Sequence, residues 1–560
     1  MSRPRAAGPA ATAVRKPGAG DVAGWVAVLV VPLVAGLLWR PLVPLDETRY
    51  AAVAWEMWTR GDLLVPHLSG LPYSDKPPLL FWTIVAGWKA FGVTEVWMRL
   101  VPVLYSLAAV LLTVRLARRL WPRQPDVATL AGWILVGTTV WTLFSTLLMF
   151  DVVLAFCAVL SWTGVVEAWR GRPVAGWTLA GVGIGLGVLA KGPAILFSTV
   201  PVALLAPLWA KDGPRSWSRW YAGAIGAVLL GAGIGLAWAL PAAAAGGRDY
   251  GDRLLFHQTA GRVAESFSHA RPGWFYLAAL PLITAPWILS PGLWRAASRA
   301  VRARPAETSA SNLVGVRFAL VALGGAVVLF SLVSGKQPQY LVPVLPAFAL
   351  LAAAAFVRGG GGPSATDLRL PAAPFLLAGL LLAVLAASPG LRAALELPPW
   401  TGRVSVVPGF LLAAAAIGAP LLARKVAPAA CLAGLGALAL AVVQAGIVPA
   451  AGGVLDVRPV ADRLAEWQRQ GIPIAHPGKY HGQYQFYGRL EPLANIEQEQ
   501  VAAWVEGHPD GVVIAYFDDE VPEDDVAPVY SARFRGDVVA LYRSDAVETL
   551  LRRGDWPPGR

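Results

Sequence analysis

Leu45–Trp82 reads LDETRYAAVAWEMWTRGDLLVPHLSGLPYSDKPPLLFW, and it is rich in charged side chains although it directly follows the first long apolar run. Charges beside a bilayer are costly unless they face water or a site. Asp46 is placed to cap a helix that runs through Trp58, and the aromatic residues of this helix suit a membrane interface. Glycines and prolines then break the helix into a loop. The stretch is therefore expected to face water at one membrane boundary.

The end of this stretch predicts a second helix. Pro77 and Pro78 stand where proline is tolerated, in the first turn of a helix. Asp75 and Lys76 would then lie at a helix N-terminus, where free backbone N–H groups favour an anion.

The composition is that of a polytopic membrane protein. Hydrophobic residues make up 56% of the chain and charged residues 15%, and the mean hydropathy is +0.54. The net charge of +12 does not indicate nucleic-acid binding, because the Lys and Arg residues stand in short loops between apolar runs. Cys157 and Cys431 lie inside apolar runs, which argues against a disulfide framework or a cysteine metal site.

About thirteen apolar runs are long enough to span a membrane. They lie at 22–40, 96–114, 127–147, 152–169, 174–190, 193–210, 220–243, 273–293, 314–333, 340–357, 371–388, 407–423 and 428–449. The first run has no cleavage site after it and is interpreted as an anchor. We therefore divide the chain into a basic cytoplasmic tail (1–21) and a transmembrane domain (22–449), whose first outer loop is 41–95.

Positive charges are concentrated in alternate loops, as the positive-inside rule requires. Besides the N-terminal tail, these loops carry Arg115, Arg118, Arg119, Arg123, Arg170, Arg172, Lys211, Arg215, Arg219, Arg295, Arg299, Arg302, Arg304, Arg358, Arg369, Arg424 and Lys425. Thirteen spans put all of them on one side. The N-terminus is expected in the cytoplasm and the C-terminus on the far side.

The composition changes after Pro449, where charges alternate with short apolar runs. A helix pattern covers 461–470, and strand patterns cover 472–475, 511–517 and 537–543. Residues 450–560 are predicted to form a small α/β domain outside the membrane.

The first outer loop resembles that of a known family. The motifs Asp-Glu-x-Arg-Tyr, Glu-Met, Gly-Asp, Tyr-x-x-Lys-Pro-Pro-Leu and Trp occur here at spacings similar to those of ArnT-like GT-C membrane glycosyltransferases. That family includes the aminoarabinose transferases that modify lipid A and the related protein O-mannosyltransferases. The resemblance covers roughly 45–350, whereas the later spans and the outer domain agree only in layout. The alternative is an interfacial amphipathic helix followed by a solvated loop.

The resemblance implies catalytic roles for two acidic residues at the outer boundary. Asp46 would be the base, or the group that orients the acceptor, and Asp151 matches the family's second acidic position. Glycosyl transfer needs a base for the acceptor and neutralisation of a departing phosphate. The alternative for both residues is a helix cap.

Cations on the same face are candidates for binding the donor phosphate. The resemblance assigns this role to Lys76, and 336–340 resembles a family segment that lines the lipid-side cavity. The further candidates are Arg49, Lys191, Arg262, Lys336 and Tyr340. The alternatives are side chains that extend to the headgroups and, for 336–340, a proline-kinked helix start.

A metal site is a further implication of the resemblance. In the aminoarabinose transferases a Glu before Lys-Pro-Pro and a loop His share a metal ion; the matching residues here are Asp75 and His257. Asp can bind Zn²⁺ through oxygen, but two protein ligands are fewer than a closed structural site uses. The alternative is a histidine that makes only hydrogen bonds.

The expected protein is mainly α, a GT-C membrane glycosyltransferase of the bacterial inner membrane. Its donor would be a sugar on a polyprenyl phosphate such as undecaprenyl phosphate, and its acceptor a lipid A-like lipid or a glycan, with inversion at the anomeric centre. Membrane lipids, but no nucleic acid, would be its other partners. One alternative is a transporter or flippase of a lipid-linked sugar, although the sequence shows no duplicated halves. Another is a structural assembly protein of the envelope.

Overall fold

The computed structural model describes residues 17–210, 213–255, 271–302, 310–518, 520–521 and 526–557. The described residues of the first half form helices and a small hairpin, which consists of β1 (His67–Leu68) and β2 (Leu71–Pro72). Its helices are α1 (Ala19–Trp39), α2 (Asp46–Arg60), α3 (Leu79–Phe91), α4 (Glu95–Leu120), α5 (Pro125–Val136), α6 (Thr139–Thr146), α7 (Asp151–Trp169), α8 (Pro173–Lys191), α9 (Ile195–Leu204), α10 (Ala206–Trp209), α11 (Trp217–Ala245) and α12 (Arg248–Asp252).

Helices continue through the second half up to the C-terminal sheet. They are α13 (Phe275–Ile283), α14 (Pro291–Arg302), α15 (Ala310–Leu332), α16 (Leu345–Arg358), α17 (Arg369–Ala387), α18 (Pro389–Ala394), α19 (Val407–Leu422), α20 (Pro428–Val442) and α21 (Val448–Ala451). A 3₁₀ segment, Pro338–Val344, leads directly into α16.

The protein is a multi-pass membrane protein. Within the described ranges, nine helical segments are long and apolar enough to cross a bilayer, or ten when the bent pair α5 and α6 is counted as one span. The axes of that pair differ by 63°. The mainly helical fold class is confirmed, whereas the number thirteen stays a prediction.

One of these nine segments, Pro173–Leu204, doubles back on itself. The Trp162 indole of α7 donates to the Ser198 carbonyl at 2.8 Å, and the rings of Trp169 and Trp209 lie 5.7 Å apart. Hence α9 and α10 run alongside α7, opposite in direction to α8. The reversal occurs at Gly192, whose φ of 69° favours glycine. The sequence analysis predicted separate apolar runs at 174–190 and 193–210, and the chain does break between them.

Small residues bring α7 and α8 together as closely packed antiparallel helices. A Cβ added to Gly164 would lie 2.4 Å from the backbone of Ala180, and one added to Gly183 would lie 2.6 Å from that of Ser161. Small residues permit this close approach between membrane helices. Because the two helices are antiparallel, the first residue of α7 lies beside the last residue of α8.

Described residues of several Arg-rich loops contact neighbouring loops and helix ends. Arg119 pairs with Glu167 at 2.9 Å, and Trp121 lies against the first turns of α15. Arg295 of α14 pairs with Asp367 just before α17. These contacts are compatible with the loop charges, and the placement of all the Arg-rich loops on one side stays a prediction. The direction of the bundle relative to the cell stays a prediction.

The last part of the chain forms a five-stranded mixed sheet in the order β4-β3-β5-β7-β6. Its strands are β3 (Ile474–Pro477), β4 (Ala494–Ile496), β5 (Val512–Phe517), β6 (Tyr530–Phe534) and β7 (Asp537–Arg543), with helices α22 (Arg458–Arg469), α23 (Gln485–Gly488), α24 (Val501–Gly507) and α25 (Ser544–Arg553). The first three strands in this order are parallel, and the last two are antiparallel to their neighbours. The predicted helix and three predicted strands are present, whereas β4 and β6 were not predicted.

Candidate active site

The carboxylate of Asp46 belongs to a side-chain cluster and does not cap α2. The residue at the cap position is Leu45, and no side chain caps the helix there. Asp46 instead accepts hydrogen bonds from the Arg49 guanidinium and, at 3.4 Å, from the Tyr50 hydroxyl. Its side chain is 53% exposed. The capping alternative is wrong for Asp46, whose carboxylate is both oriented and accessible.

Tyr50 connects the neighbourhoods of the two predicted acids. Its ring is buried and packs edge-on against Phe150 at 4.9 Å, directly before Asp151. Burial raises the pKa of Tyr50 well above its usual value, and the charges of Asp46 and, more weakly, Asp151 act in the same direction. The phenol therefore remains protonated and can donate a hydrogen bond at neutral pH.

Asp151 forms a buried ion pair at the junction of α7 and α8. Its Oδ1 accepts a hydrogen bond from Lys191 Nζ at 2.6 Å, and Asp151 is only 1% exposed. Phe150 holds the cap position of α7, again without a side-chain cap. The Lys191 ammonium also lies 5.0 Å from the centroid of the Tyr340 ring, a cation–π distance. The structure thus brings three predicted site residues together, and the capping alternative is wrong for Asp151 as well.

Lys336 is engaged elsewhere. It is 3% exposed, and its ammonium donates to the carbonyls of Arg271 at 2.9 Å, Val333 at 2.5 Å and Ser334 at 3.4 Å. The last two carbonyls follow the C-terminus of α15, where carbonyl groups lack helical partners. In this conformation Lys336 holds a helix end, and its role in phosphate binding stays a prediction.

Asp75 and Lys76 lie just before α3. The helix begins at Leu79 and Pro78 holds its cap position, so the prediction that both prolines occupy the first turn is wrong by two residues. Lys76 Nζ approaches the Asp75 carbonyl at 3.4 Å. Both side chains are partly exposed at the end of the bundle that carries Asp46. The assignment of Lys76 to the donor phosphate stays a prediction.

Two predicted residues, Arg262 and His257, lie outside the described residues. In the part of the chain that the structure does describe, no group of three or more His, Cys, Asp or Glu side chains is arranged to hold a metal ion. The zinc site of Asp75 and His257 therefore stays a prediction.

Glu47 fixes the start of the loop and was not singled out from the sequence. It is 2% exposed, pairs with Arg40, and accepts backbone N–H groups of Val43 at 2.8 Å and Leu148 at 2.7 Å. Although burial acts to raise the pKa of Glu47, the charges of Arg40 and Arg99 hold it below its usual value. The carboxylate thereby ties the first turn of α2 to the loop before α7.

The C-terminal segment reaches the candidate site, which the sequence did not suggest. Nδ1 of His481 lies 3.4 Å from a terminal nitrogen of Arg49, and Gln485 Nε2 donates to Glu56 Oε1 at 2.7 Å. The only signal in the sequence is the density of Tyr, Gln and His residues in 480–487.

Sequence comparisons agree with this architecture. Residues 25–244 match the family described as dolichyl-phosphate-mannose-protein mannosyltransferase. The undecaprenyl phosphate-alpha-4-amino-4-deoxy-L-arabinose arabinosyl transferase of Pseudomonas aeruginosa is 34% identical over 336 residues, covering 59% of this chain and 57% of the relative. The enzyme of the same name from Edwardsiella ictaluri is 32% identical over 373 residues, covering 64% of each. The chain thus spans less than two thirds of the length of these curated relatives.

Solved structures agree on the fold. The crystal structure of ArnT from Cupriavidus metallidurans in the apo state superposes with a TM-score of 0.69 at 21% identity, covering 94% of this chain and 98% of ArnT. The structure of the same protein bound to undecaprenyl phosphate gives the same TM-score at 23% identity. At these identities the likeness establishes the fold.

Together, the helical bundle, the charged loop after the first span and the C-terminal sheet form a membrane-protein fold that is shared with ArnT. The chain is thus similar to ArnT in fold and to the curated arabinosyl transferases in sequence. The resemblance found in the first outer loop is confirmed.

Proposed function

We propose that this protein is a membrane glycosyltransferase that moves a sugar from a polyprenyl phosphate to a cell-envelope acceptor. The observation that carries the proposal is the arrangement of two carboxylates with different surroundings. Asp46 is half exposed and held by Arg49, whereas Asp151 is buried and neutralised by Lys191. Two acids whose environments differ in this way are suited to different roles.

Asp46 has the properties of the group that acts on the acceptor. Its carboxylate is open to solvent on one side and oriented on the other by Arg49 and Tyr50. In a single displacement, the acceptor oxygen bonds to the anomeric carbon while the bond from that carbon to the phosphate oxygen breaks. The acceptor O–H gives its proton to Asp46, and the polyprenyl phosphate leaves with the bonding electron pair.

Asp151 is better suited to positioning than to proton transfer. Its carboxylate is enclosed and bound to Lys191, which in turn faces the ring of Tyr340. The ion pair therefore has little net charge. The negative charge of the leaving phosphate must then be stabilised by other cations at this end of the bundle, and Lys76 is the first candidate.

The relatives support the finer assignments. The curated relatives are named as undecaprenyl phosphate aminoarabinose transferases, and one ArnT structure holds undecaprenyl phosphate. This supports an undecaprenyl-type donor and a lipid A-like or glycan acceptor. We further propose that the protein lies in a bacterial inner membrane, with the candidate site and the C-terminal sheet on the outer side.

The test uses the purified full chain in lipid nanodiscs with radiolabelled polyprenyl-phosphate sugars. The parent should release polyprenyl phosphate and label a lipid or glycan acceptor. Asp46→Asn should lower turnover by roughly two to four orders of magnitude with unchanged thermal stability. Asp249→Asn, at an exposed acid of α12, is the matched control and should behave like the parent.

Two outcomes would contradict the proposal. An Asp46→Asn variant as active as the parent would show that Asp46 is not the base. Movement of the lipid-linked sugar across a vesicle membrane without release of polyprenyl phosphate would instead identify a flippase.

A further inference from the structure

The C-terminal segment is joined to the first outer loop by buried contacts. The Gln485–Glu56 hydrogen bond connects two side chains that are 0% and 2% exposed. Phe486 stacks on Trp88 with ring centroids 5.7 Å apart and planes 8° apart. Trp55 Nε1 adds a hydrogen bond to a backbone carbonyl at residue 490. Buried polar and aromatic contacts of this kind fix one geometry, so the two parts form a single surface.

The turn that carries His481 lies directly against α2. Gly482 has a φ of 71°, and a Cβ at this position would lie 2.6 Å from the Leu68 side chain and 2.8 Å from Ala52 Cβ. Glycine is therefore required both by the backbone and by the space. This close approach brings the neighbouring His481 to the first turn of α2.

A buried network in the sheet holds this turn from behind. Gln483 Oε1 accepts the His481 backbone N–H at 3.1 Å, and Gln483 Nε2 donates to the Tyr516 hydroxyl of β5 at 2.8 Å. The hydroxyls of Tyr484 and Tyr516 are 2.9 Å apart, and His476 Nε2 lies 3.2 Å from the same oxygen. The sheet thus determines the position of the His481 backbone.

The imidazole of His481 contacts the guanidinium of Arg49, which also binds Asp46, the candidate base. One terminal nitrogen of Arg49 binds Asp46, and the other lies 3.4 Å from His481 Nδ1. Arginine presents its donors in a rigid plane, so contacts on both arms define the orientation of that plane. Nδ1 can accept this N–H only when the ring proton is on Nε2.

Burial, together with two neighbouring cations, favours the neutral form of His481. Burial and the neighbouring cations Arg49 and Lys479 lower the pKa of His481 to about 4, against the weaker opposing effect of Asp46 and Asp75. At neutral pH the ring is therefore an uncharged acceptor. It orients Arg49 without competing for the Asp46 carboxylate.

We propose that His481 is a positioning residue that the C-terminal segment supplies to the candidate active site, where it aims Arg49 at Asp46. The inference rests on the proposed role of Asp46 as the base. It gives the C-terminal sheet a function: holding one hydrogen-bond acceptor in place over the outer loop.

The test compares four variants of the full chain in the transfer assay. His481→Leu keeps the bulk but removes the acceptor, and should lower kcat about tenfold to a hundredfold with little change in the KM for donor, as expected for a misplaced catalytic group. His481→Asn places an oxygen near the position of Nδ1 and should recover most of the activity. Gly482→Ala should push the turn away from α2 and lower kcat as well. His508→Leu, at a histidine of the same segment stacked on Trp504, is the control and should match the parent.

A double-mutant cycle with Arg49→Gln measures whether the effect of His481 on activity depends on Arg49, which a general loss of folded protein would not produce. If His481 acts through Arg49, His481→Leu should cost much less in the Arg49→Gln background than in the parent. Equal activity of His481→Leu and the parent, equal losses for His481→Leu and His481→Asn, or additive losses in the cycle would each overturn the inference. A parent without transfer activity would instead overturn the proposed function.

Discussion

Removal of the lysine from the Asp151–Lys191 pair should destabilise the protein strongly. Lys191→Met would retain much of the side-chain volume but leave the Asp151 carboxylate, which is 1% exposed, without its ammonium partner. Loss of one partner of a buried ion pair costs about 3–5 kcal/mol. Because the Lys191 side chain is 18% exposed, some solvent reaches the pair, and we expect the lower end, about 3 kcal/mol.

The assay is reversible unfolding of the purified protein in mixed micelles, with the change in unfolding free energy taken against the parent. Lys89→Met removes an exposed lysine from the last turn of α3 and should change stability by no more than about 0.5 kcal/mol. The double variant Asp151→Asn/Lys191→Met buries no charge and should be more stable than Lys191→Met alone. A Lys191→Met variant as stable as the parent would refute the view that the pair neutralises a buried charge.

Three further predictions concern the phosphate site, the topology and the C-terminal contact. Lys76→Ala should weaken the binding of a short-chain polyprenyl phosphate, measured by calorimetry in detergent, with Lys76→Arg intermediate because a planar fork does not replace a compact ammonium; equal affinity for Lys76→Ala and the parent would remove Lys76 from the phosphate site. Alkaline phosphatase fused after residue 450 should be active and fused after residue 121 inactive, and the reverse result would invert the proposed orientation. Gln485→Leu should leave buried Glu56 short of a partner, cost about 1–3 kcal/mol and increase protease sensitivity after residue 450; exposed Gln470→Leu is its control, and equal stability would show that the contact is dispensable.

Much of the fold could be predicted because membrane spans are local in sequence. The turn between α8 and α9 was recognised from Gly192 and Pro193, which break an apolar run. The bend between α5 and α6 was missed, since 127–147 carries no charge and no proline, and Gly137 and Thr138 at the break are only a weak signal. Strand β7 agreed in both bounds, whereas β4 and β6 are short edge strands with several exposed residues and carry little hydrophobic pattern.

The residues of the candidate site could be predicted only in part from the sequence. Asp46, Asp151 and Lys191 were found individually because charges beside apolar runs need an explanation. The pairing of Asp151 with Lys191 depends on how α7 packs against α8, which spacing alone does not specify. His481 was missed because its partner Arg49 is 432 residues away in sequence. Contacts of that range are decided by the tertiary fold.

That separation has a consequence for the synthesis of the protein. Glu56 and Gln485 are 429 residues apart in the sequence. Because ribosomes add about 5–20 residues per second, Gln485 is synthesised roughly 20–90 s after Glu56. During this interval the helices can insert into the membrane before the C-terminal segment contacts the outer loop. A chain that is cut by a protease, or ended by a stop codon, between residues 455 and 480 would keep its last span yet lose His481 and with it the proposed support of Arg49. If His481 has the role proposed above, such a fragment should insert into the membrane normally and transfer sugar more slowly than the full chain.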